Sequence, residues 1–321
     1  MKNSDKTPEN IFNPDEIRKE LDQLGDKNQA FYDKSLQVSR YLHEQLTQRG
    51  EDRRELADVL HGKQIGHPLH PILTDMTIGS WSLGLFFDVL GLIPGLGGMR
   101  RVADKLIALG VLSAVPTAIA GAADYSTIKE DAVSYGALHG LINGSAFLCF
   151  LRSSFCRRSG KRGQALLFSF LGSGLMVAGS WLGGDLVFRH RVGVNHSPEA
   201  EVKDWVAVLA WDALPEGEPT RVMVNETPLL LFRKGETVHA CNATCSHAGG
   251  PLDEGRVVDG NCIECPWHQS VFDMRDGKVV HSPATTAQPI YQVRVEKGQI
   301  EVKNWDKTAL AVQIPVEVEK K

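Results

Sequence analysis

Two stretches of the 321-residue chain carry no Lys, Arg, Asp or Glu over twenty or more positions: 132–151 (AVSYGALHGLINGSAFLCFL) and 163–184 (GQALLFSFLGSGLMVAGSWLGG). Each is long enough to cross a bilayer core as a helix, and a soluble core helix seldom runs so far without a charge. Residues 106–123 add eighteen uncharged positions, and 72–93 are apolar apart from Asp75 and Asp88. The reading is an all-α bundle of four transmembrane helices over residues 66–196, a multi-pass arrangement with the lipid bilayer as its partner. Gly136, Gly140 and Gly144, then Gly179 and Gly183, recur every four residues, so helix backbones are expected to approach closely there.

The flanks differ in character. Residues 1–65 are highly charged and hold no early apolar run to serve as the core of a signal peptide, so no cleaved export signal is expected. Within them Ile17, Leu21 and Leu24, then Val38, Leu42 and Leu46, are spaced three or four apart among charges, the pattern of polar surface helices standing in solvent. Arg100, Arg101, Lys105, Arg152, Arg157, Arg158, Lys161 and Arg162 flank one side of the bundle, and Arg49, Arg53, Arg54, Lys63, Lys129, Arg189 and Arg191 the other, so charge asymmetry does not fix the orientation. A net charge of −4 gives no reason to expect a nucleic-acid partner.

After Gly193 the apolar runs shorten. Trp205–Trp211, Arg221–Val224, Leu229–Phe232, Ile263, Val279–Val280 and Tyr291–Val295 are separated by Gly, Pro, Asn and Asp, as in a small all-β domain over 201–313, with 314–321 as a tail.

Inside this domain lie Cys245-Ser-His247 and, after seventeen residues, Cys265-Pro-Trp-His268. Each segment supplies one thiolate and one imidazole. A 2Fe-2S centre with unlike irons needs two of each, and two loops approaching from opposite sides would deliver them. Gly249, Gly250, Pro251 and Pro266 suit tight loops whose backbone comes close to sulfur. Structural zinc is the rival, held by Cys241, Cys245, Cys262 and Cys265 or by the two Cys/His pairs. The first zinc set leaves His247 and His268 idle, the second lacks the usual grouping of like ligands, and Cys241 and Cys262 are equally well read as buried strand cysteines.

CSHAGGPLDEG at 245–255 and IECPWHQSVFD at 263–273 resemble the Rieske iron–sulfur family over roughly one third of the chain, judged with the flanking strands. The resemblance implies a β-sandwich with one 2Fe-2S cluster per chain, Cys245 and Cys265 on the inner iron, and His247 and His268 on the outer iron near the surface. Rieske proteins of quinol-oxidising complexes resemble this domain but carry a disulfide between the cluster loops; Gly250 and Trp267 stand at those positions, so the ferredoxin subgroup is the better match. Ser270 is positioned to donate toward the cluster, whereas Phe272 stands where the high-potential subgroup has a tyrosine, which implies a potential in the lower part of the range. Rieske oxygenases resemble it only in their N-terminal part, and nothing here would hold their second iron.

GHPLHPILTDMTIGSW at 66–81 and WLGGDLVFRHRVGVN at 181–195 resemble a family of small four-helix membrane domains of unknown function, some joined to Rieske domains. His67, His70, Asp75, Asp88, Asp124, His139 and Asp185 are ionisable groups at membrane depth and hence candidates for a polar site. The ordinary expectation is that they bond between helices, with Asp75, Asp124 and Asp185 near enough to helix ends to snorkel outward. The alternatives are a quinone or proton path, and a b-type haem held by His139 with His67 or His70.

The expected function is a membrane-anchored carrier of single electrons between a membrane or soluble donor and a redox partner, either a redox protein or a quinone, with no catalytic residues of its own. The alternatives are a membrane-bound redox sensor and a zinc-structured adaptor. The missing disulfide and the polar N-terminus point to a cytoplasmic Rieske domain.

Overall fold

The computed structural model describes residues 13–23 and 27–305; Leu24 and the tail 314–321 lie outside the described residues. Seven α-helices precede the β domain among the described residues. They are α1 (Pro14–Asp22), α2 (Gln29–Thr47), α3 (Glu51–His61), α4 (Leu69–Leu90), α5 (Met99–Tyr125), α6 (Val133–Arg158) and α7 (Arg162–Phe188). The expected count of four covers only the long ones. The correction arises because α2 and α3, polar enough to pass for solvated helices, bury Ser35, Ser39, Asp58 and His61 against the rest of the protein. By length and composition, α5 and α7 are apolar enough to cross a membrane.

In the bundle Trp81 of α4 stacks on Phe150 of α6 with ring centres 4.2 Å apart, and both are buried with Ile107 and Met176. Small residues let the helices close on these rings: a Cβ at Gly110 would collide with Trp81, and one at Gly172 with Phe150. The expected glycine stripe is realised in part. Gly136 packs on Tyr125 and Ile128, Gly179 on Asn143 and Gly183 on His139, but Gly140 and Gly144 face open space.

The two ends of the bundle are built differently. At the α4–α5 and α6–α7 turns, Arg157 is 2.9 Å from Asp88 and 2.8 Å from Asp104, and Arg162 joins both carboxylates. Asp88 and the Arg157 side chain are buried, a pairing that survives because each charge has several partners. At the other end, Asp185 draws two hydrogen bonds of 3.0 Å from Arg18 of α1 and one of 2.9 Å from Tyr135, and Asp124 meets His61 at 3.0 Å. Neither Asp124 nor Asp185 snorkels outward: both bind the N-terminal helices to the bundle. Ser39 donates to the Tyr125 carbonyl and the Tyr125 hydroxyl to that of Ser35, seating α2 on α5.

The β domain is two antiparallel sheets. One, in spatial order β1-β10-β9-β4-β3-β2, comprises β1 (Val206–Ala210), β2 (Thr220–Val224), β3 (Thr227–Lys234), β4 (Thr237–Asn242), β9 (Ile290–Glu296) and β10 (Gln299–Asn304). The other is β5 (Arg256–Val258), β6 (Cys262–Glu264), β7 (Val271–Asp273) and β8 (Val279–His281) in sequence order. Strand alternation sends Leu229 and Leu231 into one core and Leu230 and Phe232 into a second, which also holds Cys245, Cys265 and Phe272. The cluster loops thus grow directly out of a packed core.

Helix α3 fastens this domain to the bundle. Asp58, 3 % exposed, accepts from Ser282 N at 2.7 Å, His281 Nδ1 at 3.1 Å and Lys63 Nζ at 3.0 Å, and Lys63 also donates to the Val280 carbonyl. Burial alone would raise the Asp58 pKa; the bonds from His281, Ser282 and Lys63 outweigh it and hold the carboxyl well below the usual range. A depressed carboxylate stabilises above its unfolded pKa of about 3.9 and loses that contribution as pH falls toward the folded value. Asp58→Ala is therefore expected to destabilise the docked state by about 2 kcal/mol at neutral pH. Tm and protease sensitivity around residues 51–66 provide the check, and Asp58→Asn should flatten the acid limb of stability against pH.

Candidate metal centre

The two Cys/His segments fold into loops with the same hydrogen bonding. Cys245 N donates to the Gly250 carbonyl at 2.8 Å and Gly249 N to the Cys245 carbonyl at 2.9 Å. In the second loop Cys265 N donates to Ser270 O at 2.8 Å and Gln269 N to Cys265 O at 3.1 Å. The fifth residue of each loop has a left-handed backbone, Gly249 at φ +84° and Gln269 at φ +62°. Glycine takes that conformation freely, while Gln269 is held in it by a hydrogen bond from Arg54 of α3 to its carbonyl at 3.1 Å. Gly250 is needed for a different reason: a Cβ there would come within 2.8 Å of Cys265 Sγ and 3.1 Å of the Trp267 ring.

These loops bring all four sequence-predicted donors together. The His247 and His268 rings are perpendicular with centres 5.0 Å apart, and Cys245 and Cys265 are buried and hydrogen-bonded to each other. That bond pushes the Cys245 thiol up, with burial adding to it, and brings Cys265 down to about 7. Burial, reinforced by His268, holds His247 well below its usual pKa, and burial with His43 brings His268 down to about 4. Both imidazoles are thus neutral at pH 7, the form that ligates metal. The Nδ1 atoms of His247 and His268 are buried and without a hydrogen-bond partner, a costly state for two polar atoms unless something else binds them. Two orphaned imidazole nitrogens beside two buried thiols fit a cluster that takes two nitrogens and two sulfurs. Cys241 and Cys262 lie on β4 and β6, in different sheets. All six cysteines are free.

Ser270 is fully buried; its Oγ accepts from Ala284 N at 3.0 Å, which leaves its hydroxyl hydrogen for another acceptor. Phe272 is buried in the core cluster that holds Cys245 and Cys265, and Trp267 is 50 % exposed at the rim, its ring 6.5 Å from that of His268.

The histidines are not at a free surface, which corrects the sequence expectation. Both are half-buried because the helical part covers them: Thr127 Oγ1, just past α5, is 3.3 Å from His247 Nε2, and the His43 ring of α2 is 6.3 Å from that of His268. A cavity of about 270 Å³ opens beside His268, lined by Arg40, His43, Glu44, Gln48 and Trp267 among others. Thr127, His43 and Asp58 were not singled out from sequence, and Arg54 was named only among the charges that flank the bundle. The available signal was the spacing of Arg54, Asp58 and His61, one face of a helix whose polar character read as solvation. Of the membrane-depth candidates, His70 and His139 come together, Asp124 and Asp185 tie down the N-terminal helices, and His67 and Asp75 are exposed.

Residues 204–296 match the family described as Rieske [2Fe-2S] domain, and residues 66–196 match that described as predicted membrane protein (DUF2231). The β domain is 38 % identical over 104 residues to the anthranilate 1,2-dioxygenase ferredoxin subunit of Burkholderia cepacia, covering 95 % of that protein and 32 % of this chain. It is 38 % identical to the 3-phenylpropionate/cinnamic acid dioxygenase ferredoxin subunit of Escherichia coli (strain K12), covering 81 % of it and 27 % of this chain. Among solved structures, the ferredoxin of carbazole 1,9a-dioxygenase from Nocardioides aromaticivorans IC177 is 33 % identical, with all of that chain and 32 % of this one covered at a TM-score of 0.31. Cys265→Ser is expected to abolish cluster incorporation. Gly250→Ala should lower it through a clash costing about 1–3 kcal/mol. Iron and sulfide content, with the electron paramagnetic resonance signal of the reduced protein, measures both.

Proposed function

Since the chain belongs to the Rieske [2Fe-2S] family, we propose that it is a membrane-anchored electron-transfer protein whose cluster is held by Cys245, His247, Cys265 and His268. The single observation that carries the ligand assignment is the pair of buried, unpartnered Nδ1 atoms on His247 and His268 beside two buried thiols. A bound cluster supplies one-electron exchange. The chain's own groups hold both imidazoles neutral, close the loops over sulfur through backbone N–H groups, and leave Trp267 as the exposed edge next to His268. The partner is a redox protein or a quinone meeting that edge. Four spans, α4 to α7, anchor the protein. Anchoring is supported by the match of residues 66–196 to a predicted membrane family and by the apolar length of α5 and α7. The Rieske domain faces the cytoplasm, a placement supported by six unpaired cysteines.

A second reading, a redox sensor, draws support from the Thr127–His247 contact, which would let the charge of the centre be felt at the end of α5. Ligand-dependent change in the helices with slow electron exchange is its signature, whereas rapid cluster reduction by a quinol or a reductase supports the carrier.

Membranes reduced with dithionite should give a paramagnetic resonance spectrum of low average g-value, as mixed Cys/His ligation requires; an all-thiolate spectrum overturns the ligand assignment. Phe272→Tyr should raise the potential by offering a hydroxyl to the cluster sulfurs. Trp267→Ala should slow electron exchange several-fold while leaving the spectrum intact. An unchanged rate would remove Trp267 as the exit. A C-terminal tag should become accessible only after the cytoplasmic face is opened.

A further inference from the structure

Within the bundle, at the end facing the Rieske domain, His70 of α4 and His139 of α6 approach with ring centres 6.4 Å apart and planes at 83°. Their local chemistry is matched. His70 Nδ1 is 2.9 Å from the Thr117 carbonyl, and His139 Nδ1 is 2.9 Å from that of Gly179. A carbonyl only accepts, so Nδ1 is the protonated nitrogen in both rings and Nε2 carries the lone pair. A backbone carbonyl on the far nitrogen is how proteins fix the tautomer and orientation of a metal-binding histidine. The Asn143 amide nitrogen lies 3.3 Å from His139 Nδ1 and 3.4 Å from Nε2, both longer than its 2.9 Å bond to the His139 carbonyl and than the 2.9 Å between Nδ1 and the Gly179 carbonyl.

The separation is also informative. With metal–nitrogen bonds of about 2.0 Å, two imidazoles on opposite sides of one iron have ring centres about 6.3 Å apart. A bare ion would need a third or fourth protein donor, and among the described residues no other His, Cys, Asp or Glu completes such a group around His70 and His139. A porphyrin supplies four nitrogens itself and asks the protein for only two axial ligands. Glycines seat the two imidazoles: a Cβ at Gly121 would collide with the His70 ring and one at Gly183 would crowd the His139 ring, while Gly140, next to His139, faces open space.

We propose that His70 and His139 are the axial ligands of a b-type haem in the helical domain, a second one-electron centre beside the Rieske site. His67, exposed and bonded to the neighbouring Pro68 carbonyl, takes no part. Helix α5 and the turn that follows it join the two sites, since Gly121 of α5 lies against His70 and Thr127, two residues past the helix, lies against His247.

The test uses the full chain purified in detergent from cells supplied with haem precursor, and the same protein titrated with haemin. Expected are a Soret band, a low-spin ferric signal and one haem per cluster by pyridine haemochrome assay. His70→Ala and His139→Ala should each reduce haem content at least tenfold while keeping the reduced-cluster signal, and His67→Ala should retain both. The inference rests on the bundle and not on the cluster assignment, so the cluster signal in the same samples reports separately on the electron-carrier reading. Haem-free protein with a full cluster signal overturns it, as does haem retained at full stoichiometry in both variants.

Discussion

Asp58 accepts hydrogen bonds from Ser282 N, His281 and Lys63, and a carboxylate buried this deeply persists only because those donors surround it. Two of the three belong to the β domain while Asp58 belongs to helix α3, so the desolvation cost is offset only when the two parts are docked. Four residues before Asp58, on the same helix face, Arg54 bonds the Gln269 carbonyl and Glu264 and so holds the second cluster loop in its left-handed turn. Three residues beyond it, His61 meets Asp124 at the end of α5. One polar helix face thereby fixes both the relation of the domains and the shape of the loop that carries Cys265 and His268.

Much of this was legible in the sequence wherever a pattern depended on one segment alone. The uncharged run 163–184 falls inside α7 and 132–151, but for Ala132, inside α6; a run without charge is a property of one segment, and it stays readable although Leu148 and Val177 stand exposed on the outside of the bundle. The Cys/His pairs marked two loops whose imidazole ring centres the fold brings within 5.0 Å of each other, because residue types at a fixed spacing are a property of each segment alone. What escaped depended on two segments at once. Strands β5 and β7 are three residues each, too short to show alternation, and β10 is rich in charge; all exist through their neighbours. The polar face of α3 read as solvated because its partners, Ser282 and His281, lie more than two hundred residues further on. The same cause defeated the charge asymmetry of the loops: Arg157 and Arg162 are neutralised by Asp88 and Asp104, and Arg54 and Lys63 serve the domain interface.

The helical cover also restricts how the centre can be reached. With Thr127 against His247 and α2 beside His268, the side left open is that of Trp267, which is half exposed next to a cavity edged by Arg40, Glu44 and Glu130, and in the proposed reading a partner approaches there. An aromatic surrounded by charges of both signs has the anatomy of a small contact patch, apolar at its centre and polar at its rim. Such a patch suits brief encounters, because a small buried area limits residence time while electrostatic complementarity sustains the rate of association. The cover that narrows access from solvent simultaneously brings the end of α5 against His247. In the proposed reading electrons therefore have two edges to use, one at Trp267 for a partner and one through the helix that touches His70, and the docking held by Asp58 keeps the second edge in place.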